Sequence, residues 1–211
     1  NRSSLEGIVG KEIGYKDAVG MDILMVLQQL HIPTEFPQEV IDQANLVPEV
    51  ITDEDRQGRK DLRDQLTVTI DGADAKDLDD AVALTKREDG TFELTVSIAD
   101  VSYYVTENSA IDREAFERGT SVYLTDRVVP MLPQRLSNGI CSLHPNEERL
   151  TMSCRMEIDR SGTIYQYEIF PSVIRSDMRL TYSLVNELYE KKEVEIPDEI
   201  QQMLLDMKEL H

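Results

Sequence analysis

Thr69-Ile-Asp-Gly-Ala-Asp-Ala-Lys-Asp-Leu-Asp-Asp-Ala-Val82 is the stretch on which the fold and the chemistry turn. Five aspartates, Asp71, Asp74, Asp77, Asp79 and Asp80, fall within ten residues. Apolar, β-branched runs flank them, at 66–70 on one side and 81–85 on the other. Two ionised carboxylates about 5 Å apart repel by roughly 3 kcal/mol at an effective dielectric of about 20. A solvated loop relieves that repulsion by splaying its side chains, whereas a loop pinned between two core strands has less room to do so. Positive charge is therefore expected among these oxygens, and hard carboxylate ligands suit Mg²⁺ or Mn²⁺. Lys76 offers a cation for a phosphate or for its acidic neighbours.

Working outward, 66–70 and 81–85 read as strands, and Asp89-Gly90 marks a hairpin loop into a third strand over 92–98. Ser109 is placed to cap a helix ending at Arg118, with Gly119 as its stop. A short strand follows at 121–124. Pro130 and Pro133 hold 128–133 extended. Two more strands, 150–158 and 163–175, are joined by the turn 159–162, and the tail reads as helices over 182–190 and 197–210. Upstream, Ile23, Val26, Leu27 and Leu30 recur at helical spacing. A second short helix is expected over 38–44, and Thr52 with Asp55 resembles a capping box opening a polar helix through 64. Residues 31–64 then read as a solvated helical connector. Residues 7–13 carry a lone strand pattern. Leu204, Met207 and Leu210 form an apolar stripe that has to bury against something.

The chain has 211 residues and a net charge of −19, from 41 acidic and 22 basic side chains, which taken alone argues against a nucleic-acid-binding face. The charge is uneven, however. Acids dominate at 35–64 and 187–209, while seven arginines between Arg113 and Arg160 roughly balance the acids there. Cys141 and Cys154 are too few for a disulfide scaffold and lack metal-ligand spacing. No apolar run approaches the roughly 20 residues needed to cross a bilayer. The expectation is a cytoplasmic protein with no membrane partner.

Two readings of the aspartate stretch stay open on the residues alone: a site for one or two divalent cations, or an acidic hairpin tip that is merely solvated. An EF-hand frame does not fit, because glycine follows the first aspartate instead of the third. No serine–histidine arrangement or phosphate-cradling glycine loop is present.

The stretch 67–81 also resembles the catalytic signature of the ribonuclease II/ribonuclease R family, and the Ala-Lys-Asp-Leu-Asp-Asp wording is closer to the ribonuclease R branch. Further segments resemble the same domain in the same order: Ile98-Ala-Asp-Val-Ser102, Ser121-Val-Tyr-Leu-Thr-Asp-Arg127, Pro130-Met-Leu-Pro133, 136–143, Arg149-Leu-Thr-Met-Ser153 and Arg179-Leu-Thr-Tyr182. Tyr103 departs from the family pattern, where histidine is more frequent.

The resemblance implies a processive 3′→5′ exoribonuclease that hydrolyses RNA with Mg²⁺ (Mn²⁺ as a substitute) and releases nucleoside 5′-monophosphates. It assigns Asp71, Asp77, Asp79 and Asp80 to metal, with Asp79 and Asp80 catalytic and Asp79 most tied to the chemistry. Asp74 falls outside that quartet and is expected to pair with Lys76. Tyr123 is implied to stack on the 3′-terminal base of single-stranded RNA, with Tyr182 and Arg127 as further RNA contacts. The implied fold is α+β. Residues 1–16 would end an OB/cold-shock-like β-barrel, 17–64 would form a helical linker, and 65–211 would be the N-terminal part of a mixed-sheet RNB-type catalytic domain. The family's catalytic domain is longer than this, so the isolated chain is expected to be inactive. The rival from another class is a binding or regulatory module that kept the fold without the chemistry.

Overall fold

The computed structural model describes Ile8 and residues 12–15, 17–125 and 127–211. Nine strands and six α-helices follow one another among them: α1 (Met21–Gln29), α2 (Gln38–Leu46), β1 (Lys60–Asp61), β2 (Val68–Asp71), β3 (Asp80–Lys86), β4 (Phe92–Ala99), α3 (Val101–Tyr104), α4 (Ala110–Arg118), β5 (Val122–Tyr123), β6 (Val128–Val129), β7 (Glu148–Ile158), β8 (Ile164–Arg175), β9 (Met178–Thr181), α5 (Tyr182–Tyr189) and α6 (Asp198–Leu210). Seven strands make one mixed sheet in the order β1-β8-β7-β4-β3-β2-β9, and β5 pairs only with β6. The centre of the sheet is antiparallel. Its two edge pairings, β1 with β8 and β2 with β9, are parallel. The α+β class with a mixed sheet is the one expected.

Local chemistry explains the hairpin at the centre. Asp89 accepts from the Thr91 amide at 2.9 Å and the Thr91 hydroxyl at 2.7 Å, and Gly90 takes the left-handed conformation at φ 79°. That turn sets β3 against β4 from Lys86↔Phe92 to Asp80↔Ile98. α4 begins where Ser109 accepts the Asp112 amide at 3.1 Å and stops at Gly119, again left-handed at φ 70°.

Two cores sit on the sheet. One joins Leu78, Ala81, Leu150, Val173 and Ile174 to Val40 and Ala44 of α2, Ile111 of α4 and the 132–143 segment. The other joins Val68, Leu84, Phe92 and Leu180 to Val185 and Leu188 of α5 and Ile200, Met203 and Leu204 of α6. The stripe on the last helix is therefore buried within the chain itself, with Leu204 fully enclosed. Between strands β4, β7 and β8 the sheet carries buried hydroxyls that satisfy one another: Ser97 with Ser153 at 2.6 Å, Ser153 with Ser172 at 2.6 Å, and Thr151 with Ser172 at 2.7 Å.

Two expectations need revision. The capping box at Thr52 and Asp55 forms, with the Thr52 amide on Asp55 at 2.7 Å and the Asp55 amide on Thr52 at 3.3 Å, yet no helix follows it. Gly58 turns left-handed at φ 76°, and the chain enters β1 instead. Residues 31–64 are also not a solvated connector, since Val40, Ala44, Val47, Ile51 and Leu62 are all buried in the first core. Arg118, itself buried, fastens the start of that segment through the carbonyls of Pro33 and Glu35 at 3.0 and 2.6 Å. Most of the strand pattern at 7–13 lies outside the described residues, and the described ones belong to no element.

Candidate active site

β2 ends in Asp71 and β3 begins at Asp80, so the loop 72–79 spans the gap between two adjacent antiparallel strands. Its backbone is held at several points. The Ala75 amide donates to Gly72 O at 3.1 Å, the Leu143 amide to Leu78 O at 2.9 Å, and the Ala99 amide to Asp79 O at 2.9 Å. The Ser142 hydroxyl accepts from the Leu78 amide at 3.0 Å and donates to Lys76 O at 2.9 Å. Leu78 is driven into the core, 1% exposed. With that residue turned inward, its neighbours Asp77 and Asp79 project the other way, out of the core.

They project into a cleft of about 670 Å³ lined by Asp71, Asp74, Lys76, Asp77, Asp79, Tyr123 and Arg127, among others. Tyr123 is 65% exposed and donates its hydroxyl to Asp77 Oδ2 at 2.8 Å, so its ring stands outside the core. That bond raises the Tyr123 phenol above its ordinary pKa, because ionising it would set a second negative charge against Asp77.

The carboxylates feel one another. Asp71 is raised from the ordinary carboxylate range, first by burial and then by Asp80, with Asp77 adding to it. The Thr69 hydroxyl and Arg179 act in the opposite direction. Asp79 is raised by the protein atoms around it, then by Asp77, Asp80 and Asp71. Its side chain still meets solvent, so the like-charge repulsion is the firmer of those two causes. Asp71 Oδ2 is buried with no hydrogen-bond partner of normal geometry, and so is Thr69 Oγ1 beside it. A buried carboxylate oxygen without a donor is costly unless a cation satisfies it. An all-oxygen set of this kind fits a hard divalent ion. Among the described residues, however, no three acidic, histidine or cysteine side chains are drawn together into a finished metal-ligand cluster. The four aspartates share one field without converging on a point, as mutually repelling charges do.

Asp71, Asp77, Asp79, Tyr123 and Arg127 thus share one cleft. Asp80 stands at the first position of β3, coupled electrostatically to Asp71 and Asp79. Tyr182 is exposed and sits outside that lining, at the start of α5, one residue past Thr181, which is in register with Asp71. The expected pair between Asp74 and Lys76 does not form, and both line the cleft without an ion pair between them. Tyr103, the departure from the family pattern, donates its hydroxyl to Asp55 and lies under the Arg59 guanidinium, 5.0 Å from the ring centre.

A larger cavity of about 830 Å³ lies elsewhere, lined by Arg56, Arg135, His144 and Arg149, among others. Its arginines are already committed, Arg56 to Glu148, Arg135 to Glu49 and Arg149 to Glu147, so size alone does not make it the site. One residue that sequence patterning passed over is Arg179, whose guanidinium donates to the backbone of the aspartate loop. Its signal in the sequence is its place at the head of the Arg179-Leu-Thr-Tyr182 motif, to which no role is attached there.

A mixed sheet thus presents an aspartate-rich loop beside an exposed tyrosine, and comparison with known proteins gives this arrangement a family. The RNB domain family model matches residues 59–211, and the chain belongs to that family. Ribonuclease R 1 of Lactococcus lactis is 56% identical over 185 residues, covering 88% of this chain and 23% of the relative. Ribonuclease R of Thermotoga maritima is 54% identical over 187 residues, covering 88% and 26%. Mycoplasma genitalium RNase R in complex with double-stranded RNA superposes with a TM-score of 0.88 at 35% identity, over 94% of this chain and 35% of that one. Yeast Ssd1, described as a pseudonuclease, shares the fold alone, with a TM-score of 0.78 at 21% identity. The chain spans about a quarter of the length of its ribonuclease R relatives. No helix among the described residues is long and apolar enough to cross a membrane.

Proposed function

We propose that this chain carries the carboxylate half of a processive 3′→5′ exoribonuclease site, acting on the 3′ end of single-stranded RNA and releasing nucleoside 5′-monophosphates, in cytoplasmic RNA degradation and processing. The observation that carries it is the gathering of Asp71, Asp77 and Asp79 in one cleft with Tyr123 hydrogen-bonded to Asp77. Relatives solved with double-stranded and with ribose-methylated single-stranded RNA support RNA as the ligand.

Asp71, Asp77, Asp79 and Asp80 are the residues that would hold Mg²⁺, with Mn²⁺ as a substitute. Bound there, the ion would supply Lewis-acid polarisation of the scissile phosphate and charge neutralisation. The chain's own side chains do the rest of the work in this half of the site. Tyr123 offers an exposed ring to the terminal base, and its bond to Asp77 fixes where that ring stands. Stacking of this kind contributes roughly 1–3 kcal/mol per base without reading sequence. Arg127 and Lys76, on the cleft wall, face the phosphates, and Tyr182 meets RNA farther along. Asp79 is the carboxylate tied to the chemical step.

The test is a single gel. In the complete protein carrying this sequence, 3′-labelled and 5′-labelled single-stranded RNA are digested with and without Mg²⁺. Stepwise mononucleotide release from the 3′ end, only with metal, is the expected result, and internal cuts or metal independence would refute it. The lack of a finished metal-ligand cluster among the described residues keeps a second reading in view, a binding module without chemistry. An inert scaffold of that kind shows no Mn²⁺-dependent rise in melting temperature.

A further inference from the structure

Arg179 lies on β9, the edge strand that runs parallel to β2 with Thr69 opposite Arg179 and Asp71 opposite Thr181. Its Nη2 donates to three carbonyls of the acidic loop at once: Gly72 at 3.2 Å, Ala73 at 2.9 Å and Ala75 at 2.8 Å. All three lie in the single turn between Asp71 and Asp77 that the Ala75 amide closes on Gly72 O. Without that donor Gly72 O would keep only the Ala75 amide, Ala73 O and Ala75 O would lose their partner, and five crowded carboxylates would tend to open the turn. At the far end of the same loop the Ser142 hydroxyl ties Lys76 O to the Leu78 amide. The loop is thus clamped from two segments that are remote from it in sequence, and Arg179 supplies the charged clamp.

We propose that Arg179 is a positioning residue of the carboxylate site: by fixing the backbone from Gly72 to Ala75 it sets where Asp71, Asp77 and Asp79 stand relative to one another, and so the affinity for a divalent cation. This rests on the function proposed above. Arg179 acts through the loop, with no direct contact to the ion. Lysine is no equivalent here, because its ammonium keeps the charge but ends one bond short of a guanidinium Nη and lacks the planar fork that meets the three carbonyls.

The experiment is Mn²⁺ uptake by the complete protein carrying this sequence, read from the spectroscopic signal of free aqueous Mn²⁺ at 20 °C, well below melting, for wild type, Arg179→Met and Arg179→Lys. Arg179→Met is expected to weaken Mn²⁺ binding at least tenfold, and Arg179→Lys at least threefold. A purely structural arginine would lower the melting temperature while leaving the Mn²⁺ dissociation constant of the folded protein within twofold, and that result would overturn the proposal. If Arg179→Met does not fold, Arg179→Lys decides by the same twofold limit. A wild-type chain that takes up no Mn²⁺ would overturn the proposed function, and this inference with it. Uptake by wild type with unaltered variants would overturn this inference alone.

Discussion

Asp100, inside the Ile98-Ala-Asp-Val-Ser102 segment, invites assignment to the acidic site, but the structure gives it a different partner. Arg59 Nη2 meets Asp100 Oδ2 at 2.6 Å with both side chains under a tenth exposed. The same guanidinium donates to Thr151 O at 3.3 Å, and Ser102 donates to Asp100 at 2.9 Å. Replacing Arg59 with Met keeps most of the volume and strands a buried carboxylate. Breaking a buried pair this way costs about 3–5 kcal/mol. At roughly 2–4 °C per kcal/mol for a chain of this size, melting should fall by about 6–20 °C. The double variant Arg59→Met/Asp100→Asn removes the stranded charge and should recover most of that loss, since the penalty lies in the uncompensated ion more than in the missing attraction. Thermal and urea melts at pH 7 of the wild type, both single variants and the double variant close the cycle. A loss below about 1 kcal/mol for Arg59→Met, or a double variant as damaged as the sum of the singles, would refute the reasoning. Asp100→Asn should leave Mn²⁺ uptake unchanged, separating this carboxylate from the loop at 71–80.

Asp79→Asn should abolish turnover in the complete enzyme while RNA stays bound, because ground-state contacts lie elsewhere; normal cleavage by that variant would remove Asp79 from the chemistry. In the metal-free chain the same change should raise the melting temperature at pH 7. Asp79 is pushed above the ordinary carboxylate range in the fold, so its charged form weakens the native state, and the benefit should fade below about pH 4, where folded and unfolded chains both hold the proton. Saturating Mn²⁺ at about 100 times its dissociation constant should stabilise the wild type by about 2.7 kcal/mol, a rise of roughly 5–10 °C by scanning calorimetry. Tyr123→Ala should weaken binding of single-stranded RNA by about 1–3 kcal/mol, and Tyr123→Phe should retain most of it, as measured by fluorescence anisotropy. Burial pushes the Cys141 thiol up to about 12, so it should resist alkylation at pH 8 until the chain unfolds. Its contribution to stability is complete below the unfolded thiol value near 8.5 and is lost as pH climbs toward about 12.

What could be read from sequence was local. The Asp89-Gly90 turn, the Ser109 cap with its Gly119 stop, and the long strands over 150–158 and 163–175 announce themselves through neighbouring residues, and each forms where expected. The acidic loop is legible as a candidate site because its charges sit side by side. Its support is not. β9 is a four-residue strand that pairs with β2 from the other end of the chain, and no periodicity in 178–181 reveals that. The capping box at Thr52 was read correctly as a contact and wrongly as a helix start, since the tertiary pairing of β1 with β8 outweighs local propensity after Gly58. Tyr182 shows the same limit. Its motif implies an RNA contact without saying where, and only the fold shows that it stands past the end of β9, outside the cleft lining.

The clamp on the acidic loop also dictates an order of assembly. Gly72 and Ala75 are separated from Arg179 by 107 and 104 residues of chain. A ribosome delivers every one of the clustered aspartates long before it delivers the guanidinium that shapes them. A nascent polypeptide that has emerged only through β8 therefore displays the full set of acids without the guanidinium that holds their loop, which arrives only with β9.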